Sequence, residues 1–133
     1  MRTAIISPLA IALASVVSGC EASNTADAGV FAPIYSGVQT RLLDGDLVQF
    51  EVVMSGARDN NDVTAYAECA AAQYTLIRGY GFARHLRTNV TNQAGQWRGD
   101  AIYTISAQLP RGSRKLDAEI VVAACAENKI PTV

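Results

Sequence analysis

The sequence predicts a small α+β domain: an antiparallel sheet of four to five strands with one helix packed across it, in the order ββαβββ. Three observations carry this. Apolar segments flank Asp44-Gly45-Asp46, the second of them alternating singly, the spacing changes to a helical period between Val63 and Gly79, and alternation returns in the segments that follow. A chain of 133 residues has room for one such domain.

In order along the chain, Val38 to Leu43 and Leu47 to Met54 flank an Asp-Gly pair, a hairpin signal. In the second segment Val48, Phe50, Val52 and Met54 share one face, with Gln49 and Glu51 on the other. Asn60-Asn61-Asp62 supplies capping side chains, and Gly79 supplies a C-terminal stop, so a helix is expected between them. Its apolar side holds Tyr66, Ala70 and Ile77 beside Val63, Ala67 and Tyr74; its wetter stripe holds Thr64, Glu68, Thr75 and Arg78. Three strands are then expected at Phe82 to Val90, Ala101 to Leu109 and Leu116 to Ala123. They are joined by turn-rich stretches at Asn92 to Gly99 and Pro110-Arg111-Gly112-Ser113.

The first twenty residues have a different character. Arg2 is the only charge ahead of an uncharged, largely apolar stretch from Thr3 to Gly19, which reads as a signal peptide and is marginal for spanning a bilayer, where roughly 20 apolar residues are needed. It ends in Val17-Ser18-Gly19-Cys20, which resembles the lipobox of bacterial lipoproteins. The resemblance implies cleavage before Cys20, lipid on its sulfur, and a membrane anchor in the cell envelope; with Glu21 rather than aspartate after the cysteine, it favours the periplasmic face of the outer membrane. The expected organisation is therefore a signal peptide at 1–19, a lipidated cysteine and flexible tether at 20–33, and a globular domain at 34–133. The domain also resembles small lipoproteins of alphaproteobacteria in Cys69-Ala70-Ala71-Ala72-Gln73-Tyr74 and in its strand-rich end, a likeness that implies no activity.

Once Cys20 is assigned to lipid, Cys69 and Cys125 remain as an even pair in an oxidising compartment, and a disulfide between them is expected. Closing a loop of about 57 residues would stabilise the fold by roughly 4 kcal/mol in the chain-entropy model. The net charge of −1 provides no global field for nucleic acid or anionic lipid, so ionic binding would need a local patch.

Such a patch is offered by Arg84, His85 and Arg87, with Arg78 nearby, a group able to hold a phosphate, a carboxylate or an acidic glycan. Strand alternation puts Arg84 on one face and His85 with Arg87 on the other, so only part of the group converges, and a solvated strand face is the plainer reading. Arg78-Gly79-Tyr80-Gly81-Phe82 resembles the opening of the RNP1 signature of RNA-recognition motifs, but Ala83 and His85 depart from it, and no nucleic-acid partner is expected. The plainer reading there puts Tyr80 and Phe82 in the core. His85 is the one histidine, and neither Gly-x-Ser-x-Gly nor His-Glu-x-x-His occurs. Asp59, Asn61 and Asp62 lack the glycine and distal glutamate of a calcium loop and read as capping residues. The expectation is a non-enzymatic module without metal or cofactor, bound to the membrane through Cys20 and meeting an envelope protein or surface polymer. The alternative is a small-ligand or anion-binding domain using Arg84, Arg87 and nearby tyrosines.

Overall fold

The computed structural model describes residues 30–133; the expected signal peptide, Cys20 and most of the tether lie outside the described residues. A compact body runs from Phe31 to Val133. It is an α+β domain of five strands and two helices: β1 (Ile34–Leu42), β2 (Leu47–Ser55), α1 (Asn60–Ile77), β3 (Phe82–Gln93), β4 (Gln96–Ser106), β5 (Lys115–Asp117) and α2 (Ala118–Glu127). All neighbouring strands are antiparallel, in the order β1-β2-β4-β3-β5. Because α1 carries the chain from β2 past the position of β4 to β3, β4 returns between them as the centre of the sheet.

The first hairpin turns at Asp44-Gly45, with Gly45 at φ +58 and the Leu43 N–H donating to Leu47 O at 2.8 Å. Alternation in β2 sends Val48, Phe50, Val52 and Met54 to the core and leaves Leu47, Gln49, Glu51 and Val53 half-buried on the other face. The second hairpin is tighter than expected. Ala94 and Gly95, both at positive φ (52 and 84), make a two-residue turn, and the stretch from Asn92 to Gly99 lies almost wholly in paired strand.

Asp59, one of the residues read as capping from the sequence, caps α1, its side chain accepting from the Asn61 N–H at 2.9 Å. Arg58 grips Asp62 through its backbone N–H (2.7 Å) and guanidinium (2.8 and 3.0 Å), and its guanidinium lies 3.8 Å from the ring centroid of Phe31. That contact brings Phe31 onto the folded body, ahead of the expected start at residue 34. The helix buries Val63, Tyr66, Ala67, Ala70 and Ala71 against the inner sheet face. Two positions reverse the expected stripe. Thr75 is fully buried, its hydroxyl donating to Ala71 O, while Ile77 is 62% exposed at the helix end.

The last element differs most from expectation. The sequence predicts a strand over Leu116 to Ala123, but only Lys115–Asp117 pair with β3, after which α2 begins. Asp117 acts as N-cap, accepting from Ile120, and Ala118 and Cys125 are buried two turns apart. The fold therefore carries two helices, not one. Cys125 lies on α2 rather than past a strand, and it meets Cys69 of α1 in a disulfide with Cα atoms 6.0 Å apart. In β4, Tyr103 and Ile105 face the core, but the strand stops short of the expected end at Leu109, and Ala107 and Leu109 lie beyond it and are exposed.

Candidate functional site

The sheet has two unlike faces. Under α1 lies an aromatic and aliphatic core in which Phe50 meets Tyr74 and Tyr103 edge to face at centroid distances of 5.6 and 5.9 Å, and Tyr35 meets Tyr66 at 4.7 Å. The opposite face carries Arg41, Gln39, Gln49, Glu51, Arg98, Asp100, Thr104, Asn89 and Thr91, placed there by the strand registers. Depressions of about 210 and 260 Å³ adjoin on this outer face and share Glu51, Val53 and Arg98.

The sequence-predicted group Arg84, His85 and Arg87 divides differently from expectation, because β3 bulges. His85 pairs with Tyr103 and Arg87 with Ile102, leaving Leu86 as an extra residue. Simple alternation would have put His85 and Arg87 together. The extra residue shifts the phase by one, so that Arg84 and Arg87 share the outer face and His85 turns toward the core side with Tyr103.

His85 is thereby occupied structurally. Its Nε2 lies 2.7 Å from Thr88 Oγ1, its ring centroid is 5.1 Å from that of Tyr103, and its backbone N–H donates to Arg114 O at 3.1 Å. Burial first, and then the Arg114 charge, hold the imidazole pKa below its usual value, which favours the neutral ring. Burial likewise pushes the Tyr103 phenol far up, with the Glu68 charge adding to the effect.

Arg87 points a guanidinium nitrogen to 3.9 Å from Asp100, whose other oxygen accepts from Gln49 at 2.8 Å. Arg84 instead lies under the loop between β4 and β5. Its Nε donates to Ser113 O at 3.3 Å, and a Cβ built on Gly112 would stand 3.1 to 3.3 Å from guanidinium atoms. The tyrosines expected beside these arginines are on the helix side: Tyr35, Tyr66, Tyr74 and Tyr103 in aromatic contacts and Tyr80 packed on the core. Phe82, expected in the core, pairs with Ser106 and Asp117 and is half-buried on the outer face.

A further depression, of about 210 Å³ and mostly apolar, lies between the helices beside the disulfide; Glu68, Ile120, Val121 and Ile130 are among its walls. Burial raises the Glu68 carboxyl above its usual range. Sequence reasoning missed this groove because it depends on α2, and the signal that would have found it is the i, i+3, i+4, i+7 series Ala118, Val121, Val122, Cys125. Among the described residues no three His, Cys, Asp or Glu side chains converge as metal ligands. None of the described helices is long and apolar enough to cross a membrane.

No solved structure matches this chain. It is 28% identical over 85 residues, 64% of its length, to the uncharacterized 26.9 kDa protein in the nqo8 5′ region of Paracoccus denitrificans, an alphaproteobacterium. The match covers 33% of that relative, so the chain spans about a third of the relative's length. Residues 35–129, which take in nearly the whole sheet and both helices, match the model of the YNQ4 C-terminal domain, and the chain belongs to that family.

Proposed function

We propose that this chain is a membrane-anchored envelope lipoprotein whose disulfide-linked domain is a non-enzymatic binding or assembly module. The observation that carries the reading is Val17-Ser18-Gly19-Cys20 at the end of an apolar leader. The Cys69–Cys125 cross-link supports it, since disulfides persist in oxidising compartments outside the cytoplasm. Lipid on Cys20 would hold the domain at the membrane, on the outer-membrane periplasmic side, where it meets an envelope protein or surface polymer. The reading assigns no cofactor and no catalytic residue. His85, the lone imidazole, is engaged by Thr88 and faces Tyr103, on the opposite face from Arg84 and Arg87.

The test is the intact mass of the protein extracted from its native membranes, before and after reduction and alkylation. Acyl groups on a chain beginning at Cys20, with two thiols alkylated only after reduction, are the expected result. An unlipidated mass overturns the anchor. Hydrolytic activity lost on His85→Ala overturns the non-enzymatic assignment.

A second reading is favoured by one observation: the β3 bulge gathers Arg84 and Arg87 on one exposed face, as an anion-binding domain requires. Thermal-shift measurements with phosphates, carboxylates and acidic glycans test it. Stabilisation abolished by Arg84→Gln supports it, and unchanged melting with every ligand overturns it.

A further inference from the structure

Arg84 and Lys115 stand directly opposite each other in the β3–β5 register, with Thr104 on the other flank of Arg84. Like charges directly opposed on adjacent strands destabilise a sheet. No carboxylate offsets this pair: the ion pairs among the described residues are Arg58–Asp62 and Arg87–Asp100. Asp117, two residues from Lys115, is engaged as the N-cap of α2.

The loop that follows β4 adds to the same end of the molecule. It folds over Arg84 through the Ser113 carbonyl, passes the close approach at Gly112, and returns into β5 through Arg114. Arg114 is held at φ +61, a conformation that costs a non-glycine residue free energy, while its carbonyl accepts from His85. Arg84 and Lys115 thus share the outer face at this end, with Arg111 in the loop that covers Arg84, and none of the three is in an ion pair among the described residues of a chain whose net charge is −1. In the same loop, two residues before Arg111, Leu109 is 61% exposed.

We propose that this end of the sheet docks on an anionic phospholipid bilayer, Arg84, Arg111 and Lys115 lying against phosphate headgroups and Leu109 entering the interface. Basic side chains near a negatively charged leaflet each add to binding, and a neighbouring apolar side chain adds burial that a dissolved anion cannot supply. A single-stranded nucleic acid would call for several open aromatic platforms beside the cations, whereas the tyrosines face the helix side and Phe82, beside Arg84, is half-buried. The proposal stands apart from the lipid on Cys20, because no residue of the patch takes part in that attachment. Docking would orient the domain relative to the membrane, however it is tethered.

The experiment uses the chain from residue 20 onward carrying Cys20→Ser, so that neither the apolar leader nor acylation contributes. It is sedimented with vesicles of phosphatidylcholine alone or of equal parts phosphatidylcholine and phosphatidylglycerol. The expected result is partitioning about tenfold stronger onto the anionic vesicles, falling as salt is raised. Arg111→Glu combined with Lys115→Glu brings it to the phosphatidylcholine level, and Leu109→Ser weakens it while leaving its salt dependence in place. Equal partitioning on both vesicles overturns the proposal, as does indifference to the charge reversals. Displacement by free glycerol phosphate at the concentration of lipid headgroups overturns it in favour of a soluble anion. The salt series on the chain without patch substitutions stands even if the doubly reversed variant fails to fold.

Discussion

Gly99 shows how closely a single residue position is fitted. A Cβ there would stand 2.7 Å from Val63 Cγ1 and 3.0 Å from Val52 Cγ2, both on fully buried side chains that are stiff at χ1. Gly99→Ala is therefore expected to lower stability by about 1–3 kcal/mol in urea denaturation, through overpacking between β4 and α1. Adding Val63→Ala makes room, so the pair should fall short of the sum of the single losses; strict additivity would mean that the clash is not the cause. Glu68 gives a pH-dependent counterpart. Its folded-state pKa is raised by burial above the ordinary 4.5, so ionising it costs more in the folded than in the unfolded chain. Stability from this group is intact below about pH 4.5 and is lost as pH rises through the folded value. Glu68→Gln should raise the melting temperature at neutral pH, with the gain vanishing in acid. An equal gain at both pH values would assign the effect to packing. His85 has the opposite sense: its lowered pKa means that the unfolded chain takes the proton first, so stability is lost as pH falls below about 6.5. His85→Asn should flatten that part of the melting profile.

At the scale of elements, legibility in the sequence followed how local the deciding signal is. β2 and α1 were readable because alternation in one, and capping with a glycine stop in the other, lie within the segments themselves. Leu116 to Ala123 obeys a strand period and a helix period equally well over so short a stretch. The choice is settled by Asp117 as cap and by the continuation through Ala123, Ala124, Cys125 and Ala126, which lengthens the run into a helix packed on α1. The candidate site was half legible for a similar reason. The basic residues were visible, but the face each one takes depends on a one-residue bulge at Leu86, and nothing in a period-2 pattern announces it. Strand order also sets a gradient of local stability. β2 and β4 are paired on both sides, whereas β1 has one neighbour and an open edge. Native-state hydrogen exchange should find the slowest amides in β2 and β4, and in β1 fast exchange at those directed away from β2. Uniform protection across β1 would show that its open edge is covered in solution.

For the whole molecule, the disulfide and the sheet divide the work of holding the chain together. Cys69 and Cys125 are 56 residues apart, and the loop they close contains the end of α1, then β3, β4 and β5, and most of α2; the β1–β2 hairpin lies outside it. The cross-link thus ties the late elements to α1, while the first hairpin is held by pairing of β2 with β4 and by burial of Phe50 and its neighbours. A constraint on so long a loop acts mainly on the unfolded chain, whose conformational freedom it reduces. Cys69→Ala with Cys125→Ala should therefore cost about 3–4 kcal/mol of unfolding free energy. It should also steepen the denaturant dependence, because an unfolded chain without the loop exposes more surface. Reduction of the unsubstituted protein should reproduce both changes. A lower midpoint with unchanged steepness would instead place the loss in the folded state, in the packing of α2 against α1. An unchanged midpoint would mean that the two helices hold each other without the bond, with the groove lined by Ile120, Val121 and Ile130 supplying the contact.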